Sequence, residues 1–157
     1  MSELITPFLW FDTDAEAAAE FYTAVFPDSE LVNRMPGPDG SVMGVAFRLH
    51  GQEFIAFNGG PELHFNEAVS FFVSCADQQE VDRYWAKLSE GGEESRCGWL
   101  KDKYGLSWQI VPSEMGELLG DPDPEKATRV RDAMLQMTKI DLKELREAYE
   151  GVGAETR

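Results

Sequence analysis

Histidine is nearly absent from this chain of 157 residues: there are two, His50 and His64, and neither has an acid, a cysteine or the other histidine at ligand spacing. Cysteine is as scarce. Cys75 and Cys97 form no CxxC pair and no metal spacing, so a disulfide framework and a zinc module are excluded, and buried free thiols are expected. Positive charge is in short supply too, with 14 basic against 29 acidic residues and a formal net charge of −15. Such a field repels phosphate backbones and anionic lipid, so neither nucleic acid nor a membrane surface is an expected partner. No apolar run approaches the ~20 residues of a membrane span. The opening MSELITPFLWFD has neither a basic n-region nor a signal-type cleavage site and reads as a first strand, so a cytoplasmic location is expected.

What is present is enough for a core. A chain of this length buries roughly 70% of the surface its unfolded form exposes, and needs no covalent staple. LITPFLWF (4–11) reads as an apolar strand, with Pro7 placing it at an edge or a strand start. Thr13 and Glu16 have capping-box spacing, and Ala18, Phe21, Tyr22 and Val25 share one helical face before Pro27. LVNRM, VMGVAFRL and EFIAFNGG follow as strands, separated by turns at PGPDG and His50-Gly51. AVSFFVSC (68–75) is the next strand. Asp77 with Glu80 caps a helix whose apolar face is Val81, Tyr84, Trp85 and Leu88, closed by Gly91-Gly92. CGWLKDKYGLSWQIVP (97–112) reads as a hairpin turning at Lys103-Tyr104-Gly105.

The two halves repeat. Asp14, Ala18, Phe21, Tyr22 and Val25 recur 63 positions on as Asp77, Val81, Tyr84, Trp85 and Leu88, and HGQEFIAF resembles YGLSWQIV at an offset of 54. The second module is therefore expected to be shorter between its helix and its last hairpin. Past Pro112 the pattern turns helical: SEMGELLG, then a helix capped by Asp123 with Pro124 at its first position, then one boxed by Asp141 and Glu144. Fraying is expected over the last six residues, VGAETR.

Strand–helix–strands modules in duplicate resemble the vicinal oxygen chelate, or glyoxalase/bleomycin-resistance, superfamily. ITPFLWFD, EFYTAVFP, FNEAVSFFVSC, EGGEESRCGWLKDKYGLSWQIVP and MLQMTKIDLKELREAYEG are similar to its branch labelled 3-demethylubiquinone-9 3-methyltransferase-like. The resemblance implies an α+β fold, with two βαβββ modules forming curved mixed sheets around a cup. Residues 1–112 would be the glyoxalase-like domain (module one about 1–60, module two about 66–112) and 113–157 a helical C-terminal extension. It implies a homodimer, to which the tail adds an apolar stripe (Val130, Met134, Met137, Leu142, Leu145, Tyr149) that one small domain leaves open. The methyltransferase activity in the label is not expected. S-adenosylmethionine sites use a glycine-rich turn between a parallel strand and a helix, and no glycine here has that context.

In the superfamily's enzymes, His, Gln or Glu from four strands hold a divalent metal inside the cup. On the resemblance, Gln109 takes the position of a metal-binding glutamate and Ser70 that of a histidine. Alternation puts Leu106, Trp108 and Ile110 beneath a helix and Ser107, Gln109 and Val111 toward the cup. Thr6, Phe8 and Trp10 are the expected inner face of the first strand. Neutral Gln and Ser bind hard metals poorly, so no metal and no cofactor is expected. The inner row expected to bind is Phe8, Trp10, Ser70, Phe72, Trp99, Ser107 and Gln109, a mostly apolar set with a few polar tips, as small-molecule sites have. A small-molecule ligand, aromatic or amphiphilic, is the first reading. An enzyme of lyase, isomerase or dioxygenase type is the second, and an interaction domain whose cup is filled by side chains the third.

Overall fold

The structure, a computed structural model, describes residues 4–151; the terminal VGAETR stretch lies outside the described residues. The chain divides into two compact units, Met1–Phe65 and Asn66–Arg157.

The first unit runs β1 (Phe8–Phe11), α1 (Ala15–Val25), β2 (Ser29–Pro36), β3 (Val42–Leu49) and β4 (Gln52–Asn58). Its sheet has the order β1-β4-β3-β2, with β1 parallel to β4 and the other pairs antiparallel. Pro7 just precedes an edge strand, where its missing N–H costs no ladder bond, and its carbonyl accepts from Ile55 N at 3.0 Å. Alanines at 15, 18 and 19, all fully buried, let α1 approach the sheet closely. Tyr22 then stacks on Phe47, and Phe47 on Phe54 with ring centroids 5.2 Å apart. The expected Thr13–Glu16 box is not what starts α1. Asp14 holds the N-cap position without a side-chain bond, and the Ala15 N–H goes instead to Asn58 Oδ1 at 2.8 Å. Glu16 is drawn off to pair with Arg34.

The second unit repeats the plan: β5 (Ser70–Cys75), α2 (Gln78–Ser89), β6 (Glu93–Glu94), β7 (Trp99–Lys101) and β8 (Ser107–Pro112). The order β5-β8-β7-β6, with β5 parallel to β8, is the first sheet's order over again. The shortening falls where the sequence places it, because β6, after the helix, is two residues long. The Asp77–Glu80 box forms: Asp77 Oδ1 accepts from Glu80 N at 2.9 Å, and Glu80 Oε2 accepts from Ala76 N at 2.9 Å. α2 buries Val81, Tyr84, Trp85 and Leu88. Gly92 passes so close to β7 that an added Cβ would sit 2.1 Å from Lys101 O. Only glycine allows that pairing.

α3 (Ser113–Leu119), α4 (Pro124–Leu135) and α5 (Leu142–Glu150) complete this unit. Val111, Met115, Val130, Ala133, Met137, Ile140, Leu142 and Leu145 form one buried cluster. The tail's apolar stripe is thus largely covered by its own chain, and the expectation that it lies open for a second subunit does not hold: Val130 and Leu145 are fully buried. Backbone bonds stitch the tail in place, from Cys97 N to Met137 O and from Gly98 N to Thr138 O, both 2.8 Å. Gln78, at the start of α2, spans Ile140 O and Leu142 N through its amide. None of the described helices is long and apolar enough to cross a membrane.

Candidate functional site

Strand parity in the second sheet separates a core side from an open side. On the core side Leu106, Trp108 and Ile110 are buried, as are Leu100 and Cys75. Burial pushes the Cys75 thiol up to about 12, so it stays protonated.

On the other side the register aligns two transverse rows. The first crosses all four strands: Glu93 lies opposite Lys101, Lys101 opposite Ser107, and Ser107 opposite Ser70. The second sets Gln109 between Trp99 on β7 and Phe72 on β5. Cross-strand neighbours on one face lie within about 5.5 Å at Cβ, so each row is a line of touching side chains. Five of the seven residues expected from the sequence are thus on one face. The rows are joined where Gln109 Nε2 donates to Ser70 Oγ at 3.0 Å.

Burial along the rows is uneven. Phe72 is 58% exposed, so it does not fill core, and Trp99 is half-buried. Ser107 is 1% exposed, and its Oγ has no hydrogen-bond partner among the described residues. Val111, expected on this face, is buried in the cluster with the C-terminal helices. Lys101 Nζ pairs with Glu67 Oε2 at 3.0 Å, and that ammonium holds the Glu67 carboxyl below its usual range. A cavity of about 590 Å³ opens at the β6–β7 end of the polar row, lined among others by Glu67, Glu93, Arg96, Trp99, Lys101 and Ser107. Ligand pockets run from about 300 to 1,000 Å³.

The other two expected residues are in the first unit. Phe8 is 55% exposed and packs on Phe57 at 5.3 Å. Trp10 is fixed by its neighbours. Its Nε1 donates to Gly60 O at 3.0 Å, its ring meets Phe57 edge-on, and an added Cβ on Gly59 would lie 2.2 Å from it.

Among the described residues, no group of three or more His, Cys, Asp or Glu side chains is placed to hold a metal ion. The donor chemistry argues the same way. Gln109 and Ser70, at the positions where the resemblance puts a glutamate and a histidine, are neutral and bonded to each other. His50 is in the β3–β4 turn beside Asp28, and His64 is in an exposed loop.

Asp102 does not stand out in the sequence, where it just precedes the Lys103-Tyr104-Gly105 turn. It is 2% exposed. Its Oδ1 accepts from Tyr104 N at 2.8 Å and Leu106 N at 3.1 Å, and its Oδ2 from Trp108 Nε1 at 2.9 Å. The carboxylate braces the hairpin that carries Trp99, Lys101, Ser107 and Gln109. An Asp opening a turn, with Trp six residues on, was the available signal.

Comparison with known proteins gives this arrangement a context. Residues 3–111 match the family model described as 3-demethylubiquinone-9 3-methyltransferase. A PhnB protein of Bacillus cereus is 34% identical, over 69% of this chain and 99% of its own, with a TM-score of 0.65. Protein PA1353 of Pseudomonas aeruginosa is 18% identical, over 71% and 97%, with a TM-score of 0.58. A mutant of the fosfomycin resistance protein FosX of Listeria monocytogenes, complexed with Mn(II) and a dihydroxypropylphosphonic acid, is 18% identical over 72% and 93%, with a TM-score of 0.50. The latter two show a shared fold and no more. Among curated proteins, none is significantly similar in sequence.

Proposed function

The chain belongs to the 3-demethylubiquinone-9 3-methyltransferase family, of glyoxalase/bleomycin-resistance-like fold, and from that premise we infer that it binds a small aromatic or amphiphilic molecule on the open face of its second sheet. The carrying observation is Phe72. A large apolar side chain in mid-strand, 58% exposed, sits beside Gln109, which has Trp99 on its other flank. Covering such a side chain is worth about 1.5–3 kcal/mol. Gln109 and Ser70 retain further hydrogen-bonding capacity beyond their shared bond. A planar ligand laid along this row gains apolar contact from both rings and orientation from the polar tips.

One feature speaks against carrying over the activity in the family's name. The turns that lead from parallel strands into helices, Asp12-Thr13-Asp14 after β1 and Ala76-Asp77 after β5, contain no glycine to cradle a cofactor's charged groups. Metal-dependent chemistry of the FosX type is also disfavoured, because the paired Gln109 and Ser70 supply no charge to offset the dehydration of a dication. The reading includes a cytoplasmic homodimer. Apolar side chains exposed at each unit's parallel edge strand support it: Phe8 on β1, and Val69 just before β5. Sedimentation of the full chain would return a single-chain mass if the dimer is wrong.

The test of binding is a fragment screen of aromatic and amphiphilic compounds, followed by amide and indole chemical shifts. Saturable hits should weaken at least tenfold in Phe72→Ala and Trp99→Ala while the melting temperature holds. Hits indifferent to both substitutions would refute the site.

A further inference from the structure

We propose that the cavity at the β6–β7 end of this face takes a protonated aromatic amine, its ring against Trp99 and its ammonium between Glu93 and the Ser107 hydroxyl. The proposal rests on the reading of the same face as a small-molecule site, and names the charge class of its ligand.

Ser107 is the starting point. It is 1% exposed, it lines a cavity of about 590 Å³, and its Oγ has no partner among the described residues. Buried hydroxyls are ordinarily bonded, so one left open at a cavity wall marks a place for a ligand's polar group. Its neighbours across the strands are Ser70 and Lys101. The Lys101 ammonium is already engaged by Glu67 at 3.0 Å, in a pair with side chains 39% and 67% exposed. So open a pair breaks at little cost, and Lys101 can turn aside to uncover the hydroxyl.

Charge then chooses between ligand classes. On this face Glu67 and Lys101 are spent on each other, which leaves Glu93 and Arg96 in the lining. Glu94, the register partner of Leu100, turns to the helix side, where it accepts from the Trp85 indole at 2.8 Å. Glu93, on the same face as Lys101, has no ion-pair partner among the described residues. Beyond the rim, a net charge of −15 draws cations in and turns anions away. Trp99 adds an indole face on which the ligand's ring stacks. An ammonium N–H supplies the donor that Ser107 Oγ can accept.

The experiment uses three probes on one ring system: 1-naphthylmethylamine, protonated at pH 7, 1-naphthalenemethanol and 1-naphthoate. Binding to the full chain is followed by calorimetry and by amide shifts. The amine should bind at least tenfold tighter than the naphthoate, weaken as salt rises, and move resonances of Trp99, Lys101 and Ser107. Glu93→Gln should weaken the amine several-fold and leave the alcohol unchanged. Ser107→Ala should weaken the amine at least fivefold without lowering the melting temperature, because its hydroxyl has no intramolecular bond to lose. Naphthoate binding as tightly as the amine, or unchanged amine affinity in Ser107→Ala, overturns the proposal. If the alcohol or the acid binds and moves Phe72 and Gln109 instead, the cation assignment fails while the face remains a small-molecule site. If no probe binds, the cavity assignment falls, and the Phe72 row is decided by its own screen.

Discussion

Replacing Asp102 by asparagine turns one acceptor into a donor, a small change in a site where both oxygens are engaged. Oδ1 serves two backbone amides, Tyr104 N and Leu106 N, while Oδ2 serves the Trp108 indole. An asparagine can keep one of these arrangements only. With its oxygen toward the amides, its NH₂ faces the indole N–H, donor against donor. Flipped, it abandons both amides. Either way at least one donor in a buried site is orphaned, at a cost of about 1–3 kcal/mol. Asp102→Ala strands Leu106 N and Trp108 Nε1 together, for about 2–6 kcal/mol on the same scale. Urea denaturation at constant m reads both as shifts in midpoint. The sharper test is a cycle with Trp108→Phe. In that background the asparagine has no indole to oppose, so its cost should fall by about 1 kcal/mol or more. An Asp102→Asn within about 0.5 kcal/mol of the parent, or strictly additive costs in the cycle, would refute the brace.

Strand parity predicts opposite outcomes for neighbours: Trp108→Ala should cost about 3–5 kcal/mol as a core truncation, and Gln109→Ala less than about 1 kcal/mol. Denaturant melts in the reverse order would mean the faces are assigned the wrong way round. Cys75 gives a pH dependence. Its folded pKa, raised by burial from the usual 9.0 to about 12, means that its contribution is intact below pH 9 and is lost as pH climbs from 9 toward 12. Against Cys75→Ala, the parent should lose relative stability across that window, and a constant gap would count against the assignment.

Much of the fold could be read in the sequence because its signals are local. The caps at Asp77, Asp123 and Asp141 need only three or four neighbouring residues to be seen, and each side chain accepts the backbone N–H its spacing implies. The alternation along GLSWQIVP sorts Trp108 from Gln109 correctly. What escaped is long-range. Asn58, 43 positions away, takes the Ala15 N–H, and nothing in the Thr13–Glu16 spacing warns of it. Glu93-Glu94 has no intrinsic β character and is a strand because β7 lies beside it. The tail stripe looks uncovered in the sequence because periodicity shows that a face is apolar and says nothing of what meets it. The site fared likewise. Phe72, Trp99 and Gln109 follow from parity, whereas Glu93, Lys101 and Glu67 become candidates only once the register is known.

The backbone bonds from Cys97 and Gly98 to Met137 and Thr138 have a bearing on inheritance. The family match ends at residue 111, and the Bacillus cereus relative is aligned over almost all of its own length while reaching only 69% of this chain. Yet of the eight buried residues in the cluster around Val111, seven come after that boundary. A segment outside the family match is therefore part of this module's foundation. Its loss would now unroof Val111 and open two amides that a shorter cousin must satisfy in some other way. Grafting the tail onto such a cousin, or cutting it from this chain, would exchange one solution for another.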